Sequence, residues 1–352
     1  MPRTAAIVGH NWGIRCHLMT LRKAGWDVDM LVGRSSTRVA AVAEQYRIPH
    51  SSSRPIDAFS RGYDLVVIAV PWHSHAEIVR EGVRAGTCML TEHPLAGSEK
   101  ESRGLAEHAE QSKAKIFVNF PTRFIKSVSD LGAKLKTSEH GITRRIRHDF
   151  IYPDTEGRDW LPLLLMHSLD LAHSLFSLGE VQAATIRDHH VVPVAQCESW
   201  SWPLRTSSLR DDEMLSIGTI GACFVSDLGL YELCIRRVAG SKFVEQLVVE
   251  GSRGCLAYQT VLERTNEFSP WSASPLWFGP PGMTPRFGVD THCTGRDIWL
   301  DAHFSQLDAI SCLLDGRADA KVADADSAVI VHALLERAID IAWRASNQRG
   351  TR

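Results

Sequence analysis

The chain has 352 residues, of which 44% are hydrophobic, 23% charged and 8% aromatic, proportions that exclude collagen and intrinsic disorder and predict about two globular domains. Lys and Arg number 39 against 41 Asp and Glu, a net charge of −2 that gives no electrostatic reason to expect a nucleic acid or an anionic membrane as partner. No apolar run approaches the roughly 18 residues of a membrane span.

MPRTAAIVGH runs straight into a strand rather than into the apolar core of a signal peptide, so a cytoplasmic protein is expected. From there, short apolar runs alternate with amphipathic stretches. Thr4–Val8 leads into a helix near Ile14–Ala24, and Val28–Val32 into one near Thr37–Tyr46. Leu65–Val70 is followed by a helix near Ala76–Ala85, Cys88–Leu90 by one near Ser98–Ser112, and Ile116–Val118 closes the series. Continuous apolar strands with helical crossovers mean a parallel sheet covered on both faces. Residues 1–122 are therefore read as a doubly wound α/β domain of Rossmann type.

Beyond Arg123 the pattern changes. Gly141–Tyr152, Val181–Val192, Met214–Leu228, Tyr231–Val238, Lys242–Glu250 and Gly254–Gln259 read as longer strands, several with one polar face. Residues 123–352 are expected to form an α+β domain on a large open, mainly antiparallel sheet, framed by helices at Leu161–Leu178, Asp301–Leu314 and Asp324–Ala345. The Pro- and Trp-rich stretch Ser269–Gly288 has no periodicity and is expected to be a long loop over a site. The eight cysteines stand singly, without metal-ligand spacing, so they are expected to be reduced core residues and no metal site is expected.

The first strand ends in Gly9-His10-Asn11-Trp12-Gly13 and then a helix. A pyrophosphate cradle needs glycine where backbone approaches the ligand, at a helix N-terminus whose free N–H groups favour an anion. A glycine turn after any strand would look the same, but the alternation that follows supports a dinucleotide site. The second strand ends in Gly33-Arg34-Ser35-Ser36, with no carboxylate for a ribose 2′-hydroxyl and with an arginine and two hydroxyls suited to a 2′-phosphate. NADP(H) is the cofactor this pattern predicts.

Three further stretches carry a family resemblance. Val70-Pro71-Trp72-His73-Ser74-His75, Thr91-Glu92-His93-Pro94-Leu95 and Val118-Asn119 to Arg123-Phe124 resemble the TPxxxH, EKP and NxxRF landmarks of the glucose-fructose oxidoreductase/inositol dehydrogenase (Gfo/Idh/MocA) superfamily. His167-Ser168-Leu169-Asp170 resembles its HxxD, and Lys242–Leu256 its sheet strand leading to a G-x-x-G turn. Two positions depart from the pattern: the EKP lysine is His93, and the Asp four residues before the HxxD histidine is Leu163. Glu92–Leu95, Gly9–Gly13 and Gly33–Ser36 are similar to the thiazolinyl imine reductases of siderophore biosynthesis. The resemblance to that subgroup implies the EHP histidine and a nearby tyrosine as proton donors; here Asn119 is followed by Phe120-Pro121-Thr122-Arg123, and the tyrosine is missing.

Reducing a C=N bond needs a hydride at carbon and a proton at nitrogen, and a histidine with an ordinary pKa near 6.5 suits the proton. The expected catalytic residues are His93, His167 and Asp170. His167 and Asp170 lie three apart on one helix, so that Asp170 either orients the imidazole or makes a structural bond while His167 meets the substrate. Gly9, Asn11, Trp12, Gly13, Gly33, Arg34, Ser35, Ser36, Val70, Trp72, His75, Glu92 and His93 are assigned to the cofactor, and Tyr152, Trp160 and His167 to the substrate. The leading expectation is an NADPH-dependent imine reductase acting on a small molecule, free or carrier-bound, as a homodimer or homotetramer. A sugar or cyclitol oxidoreductase and a catalytically silent NADP-binding regulator are the alternatives, since fold alone does not fix function.

Overall fold

The structure, a computed structural model, describes residues 2–153, 161–193, 204, 213–239, 242–263, 271–287, 298–317 and 322–349. The chain divides into two compact units, Met1–Pro121 with His303–His332, and Thr122–Ala302 with Ala333–Arg352. No helix among the described residues is long and apolar enough to cross a membrane.

The first unit holds a parallel sheet of six strands: β1 (Thr4–Val8), β2 (Asp27–Val32), β3 (His50–Ser52), β4 (Leu65–Ile68), β5 (Cys88–Thr91) and β6 (Lys115–Val118), in the order β3-β2-β1-β4-β5-β6. Ala5, Ala6, Ile7 and all of β4 are fully buried, as central strands covered on both faces must be. The order reverses at β1 and β4, and ligands of such sheets bind outside the strands' carboxyl ends at that point. The crossovers are α1 (Met19–Lys23), α2 (Ser36–Gln45), α3 (His75–Arg84) and α4 (Glu99–Ser112). Ser98 caps α4 by accepting from the Glu101 N–H, and the Glu101 carboxylate accepts from the Gly97 N–H. The edge strand β6 is closed by the returning chain, through a bridge from Phe117 to Asp324 and a bond from the Val118 N–H to the Ala323 carbonyl.

The second unit is built on eight strands: β7 (Thr143–Pro153), β8 (Val181–Pro193), β9 (Glu213–Ser226), β10 (Gly229–Val238), β11 (Lys242–Gly251), β12 (Cys255–Glu263), β13 (Trp271–Ala273) and β14 (Trp277–Gly279). Their order is β13-β12-β11-β7-β10-β9-β8, with β14 also on β12; every pairing is antiparallel except β7 with β10. Ile146, His148, Phe150 and Tyr152 of β7 point inward, while Arg145 and Arg147 point out. The helices are α5 (Lys126–Thr137) and α6 (Leu161–Phe176), with α7 (Ile298–Leu314) and α8 (Ala325–Arg349) each contributing residues to both units. Phe176 of α6 packs on Tyr231 of β10, ring centroids 5.9 Å apart.

The stretch expected to be one long loop differs: Trp271–Ala273 and Trp277–Gly279 pair with β12, strands too short for sequence periodicity to reveal. β3 is likewise three residues, His-Ser-Ser, with no apolar signal. The helix expected from Ile14 opens instead as a π-helix over Gly13–Leu18 that passes into α1.

Candidate active site

Gly9 holds φ at +112°, and a Cβ there would lie 2.0 Å from the Ala69 carbonyl oxygen, so glycine alone permits this turn. Gly13 stands one position ahead of the third glycine in the usual G-x-G-x-x-G spacing. A Cβ on Gly13 would meet the Ile7 Cγ2 at 2.6 Å, so it lets the helix press onto β1. Asn11 and Trp12 are exposed at the turn. A glycine-lined turn against the switch point, opening a helix N-terminus, fits a dinucleotide pyrophosphate.

At the end of β2, Gly33 is buried, and a Cβ there would lie 2.7 Å from the His10 Nδ1. His10, which the sequence reading did not single out, thus fills the space beside a position where a carboxylate side chain would begin. Burial, and then the charge of Arg38, push its pKa down. Arg34 and Ser36 are exposed, whereas the Ser35 hydroxyl caps α2 by accepting from the Arg38 N–H at 3.4 Å.

The turns after β4 and β5 carry the titratable centre. His93 follows β5; its Nδ1 donates to the Asn119 carbonyl at 3.1 Å and its ring stacks on Phe120 with centroids 5.1 Å apart. The His93–Pro94 peptide is cis. Burial pushes the His93 pKa below its ordinary value, opposed by the Glu92 carboxylate and the bond to Asn119. His75 is buried, its Nδ1 2.7 Å from the Pro94 carbonyl and its Nε2 2.8 Å from that of Val70. Assigned to the cofactor from its sequence, it lies between the turns after β4 and β5, each ring nitrogen against a backbone carbonyl, of which the neutral ring donates to one. Val70 and Trp72 are half-buried at the end of β4.

Glu92 is also turned inward. Its Oε1 accepts from Trp12 Nε1 at 2.9 Å, His17 Nε2 at 2.6 Å and Asn119 Nδ2 at 2.8 Å. Burial alone would raise its pKa, but the hydrogen bond and charge of His17, with His93 and His303, hold it down to about 2. The Asn119 amide also reaches the His303 Nε2, and the ring edges of Trp12 and His17 face His303. Through Oε1 this carboxylate joins the glycine turn, the π-helix and the turn after β6. His17, Asn119 and His303 were missed as members because they come from three remote stretches of chain, and only the sequence neighbours of Glu92 and Asn119 carry a motif.

In the second unit, Asp170 is fully buried and gives both oxygens to Arg123. Of the two alternatives for this residue, the geometry realises the structural bond. His167, on the same helix, is buried with its ring edge-on to Trp299 at 5.2 Å. Tyr152, expected on the substrate side, is instead a core residue: it is 0% exposed in β7 and its hydroxyl donates to the Ile217 carbonyl. Its inward position in the β7 alternation is what removes it from solvent. Trp160, also assigned to the substrate, lies outside the described residues.

A six-stranded parallel sheet with a glycine turn after its first strand defines a dinucleotide-binding domain. Residues 3–120 match the GFO_IDH_MocA family, described as an oxidoreductase family with an NAD-binding Rossmann fold, a likeness confined to the first unit's part of the chain. A curated relative, D-xylose 1-dehydrogenase (NADP(+)) 2 of Haloferax volcanii, is 25% identical over 149 residues, 42% of this chain. The chain spans less than half the length of the curated relatives it matches, 42% and 45%. Among solved structures, levoglucosan dehydrogenase in complex with NADH and levoglucosan is 14% identical with a TM-score of 0.71, covering 98% of both chains. A mutant of Gal80p from Saccharomyces cerevisiae, a super-repressor, is 12% identical with a TM-score of 0.69, covering 99% of this chain and 97% of that one. These likenesses establish the fold over nearly the whole length.

Proposed function

We propose that this chain is an NADPH-dependent oxidoreductase that reduces a C=N bond, a thiazoline-type imine of natural-product biosynthesis, with His93 as the proton-exchanging group. The observation that carries the reading is the placement of His93 at the carboxyl end of β5, with Nδ1 committed to the Asn119 carbonyl so that proton exchange falls to Nε2. The bound nicotinamide cofactor supplies the hydride to the imine carbon. His93, as imidazolium, gives its Nε2 proton to the nitrogen and is left neutral, to be recharged from solvent. Arg34 and the carboxylate-free end of β2 support NADPH over NADH.

One observation favours a second reading. Burial lowers the proton affinity of His93, so neutral imidazole prevails near pH 7, and a neutral imidazole is a base suited to oxidising a hydroxyl. The matched relative named as a D-xylose 1-dehydrogenase points the same way. Purified protein assayed for NADPH oxidation with a thiazoline, and for NADP+ reduction with a panel of sugars, distinguishes the two; turnover of neither would leave a nucleotide-binding regulator.

The substrate is a small molecule, free or tethered to a carrier protein. The second-unit sheet exposes Val225, its cross-strand partner Leu230 and Val238 on its outer face, which supports assembly of two or four copies through that face.

A further inference from the structure

The carboxylate of Glu92 has its two oxygens in different surroundings. Oε1 accepts three hydrogen bonds at 2.6–2.9 Å, from His17, Asn119 and Trp12, whereas Oε2 lies 3.9 Å from the His93 Nδ1. The shortest of these bonds comes from His17, a residue of the π-helix that is 1% exposed and belongs to no motif. We propose that Glu92 and His17 are positioning residues that set the proton affinity of His93, His17 by keeping the buried Glu92 an anion and Glu92 by holding negative charge beside the imidazole. This rests on the reading of His93 as the group that exchanges the proton.

The physical case is electrostatic. An imidazole withdrawn from water loses proton affinity, and an anion within about 4–6 Å restores it, typically by one unit or more. Glu92 supplies that anion only while it stays ionised in the interior, and a buried carboxylate stays ionised when several donors point at one oxygen. The titratable groups that face this pair include His17 from the π-helix, His303 from α7 and His75 from α3; Trp12 and Asn119 add neutral donors. Glu92 is the negative charge beside His93 that raises its proton affinity, against burial and the neighbouring imidazole of His75, which lower it. The arrangement also links the two ends of the site, because the Trp12 indole that donates to Glu92 belongs to the exposed cradle turn.

The test is the titration of His93 followed by NMR of isotope-labelled histidine, with His93→Asn to assign its signal, beside the pH profile of turnover. Glu92→Gln keeps the shape and removes the charge, and the His93 midpoint should fall by about one unit. His17→Phe keeps a ring and removes the donor, and should raise the Glu92 carboxyl titration, followed by NMR of labelled glutamate, while His17→Gln, which restores a donor, should return it toward wild type. A His93 midpoint unchanged or raised in Glu92→Gln, or a Glu92 titration unchanged or lowered in folded His17→Phe, overturns the proposal. If the midpoint moves as stated while the pH profile of turnover stays fixed, the positioning holds and it is the assignment of proton exchange to His93 that fails.

Discussion

Arg123 grips Asp170 through two bonds, from Nε at 2.8 Å and from Nη2 at 2.5 Å, with both side chains withdrawn from solvent. Burial pushes the Asp170 pKa up, and the guanidinium opposes it. Removing one partner of such a pair strands the other as an uncompensated buried charge. Asp170→Asn should therefore lower unfolding free energy by about 3 kcal/mol, read by urea denaturation, and the double change Arg123→Met with Asp170→Leu should recover much of it. A catalytic Asp170 would behave differently: turnover would collapse in Asp170→Asn with stability intact.

Gly9 gives a second prediction. With φ at +112° and the Ala69 carbonyl oxygen 2.0 Å from where a Cβ would stand, Gly9→Ala forces the turn away from β4. Nucleotide affinity should drop by at least tenfold, measured by fluorescence titration. Gly104, where a Cβ meets nothing within 4 Å, is the control whose alanine variant should bind as wild type does.

The nucleotide preference is testable at Gly33 and Arg34. Arg34 is exposed, so Arg34→Ala should weaken NADPH several-fold and leave NADH nearly unchanged. Gly33→Asp places a carboxylate at the ribose position but must first displace the His10 ring, so the gain for NADH should come with a lower melting temperature. Tighter NADH than NADPH in the wild-type protein would refute the NADPH assignment itself.

The Rossmann half was legible because its strands are continuous apolar runs and its glycine turn is local chemistry; β1, β2, β4, β5 and β6 fall where the runs stand. The second sheet was legible from alternation, as in Ile146, His148, Phe150 and Tyr152, although that same alternation argued against Tyr152 as a substrate contact once its inward phase was fixed. α5 has its apolar Val128, Leu131 and Leu135 at helical spacing, a signal the reading passed over. The Glu92 network was not legible. His303 joins it from 211 positions away in sequence, brought back by the terminal segment that covers β6, and such a contact leaves no trace in local pattern. His10 escaped for a different reason: the space it fills exists only because residue 33 has no side chain.

The role of His93 can be decided by combining substitution with pH. Its Nδ1 is committed to the Asn119 carbonyl, so the imidazolium form adds its second proton at Nε2, and burial sets that event below the ordinary midpoint of 6.5. The reductive direction needs the imidazolium, and its rate should fall as pH rises through that midpoint. The oxidative direction needs the neutral ring, and its rate should rise over the same interval. His93→Asn should remove both dependences and lower turnover by something like the 10²–10⁴-fold typical of general acid–base catalysis, with NADPH affinity nearly unchanged. His167→Ala, measured in the same assay, examines the other candidate imidazole. Normal turnover by His93→Asn, under conditions where an isotope effect with deuterated NADPH shows the chemical step to be rate-limiting, would move the proton exchange to another group.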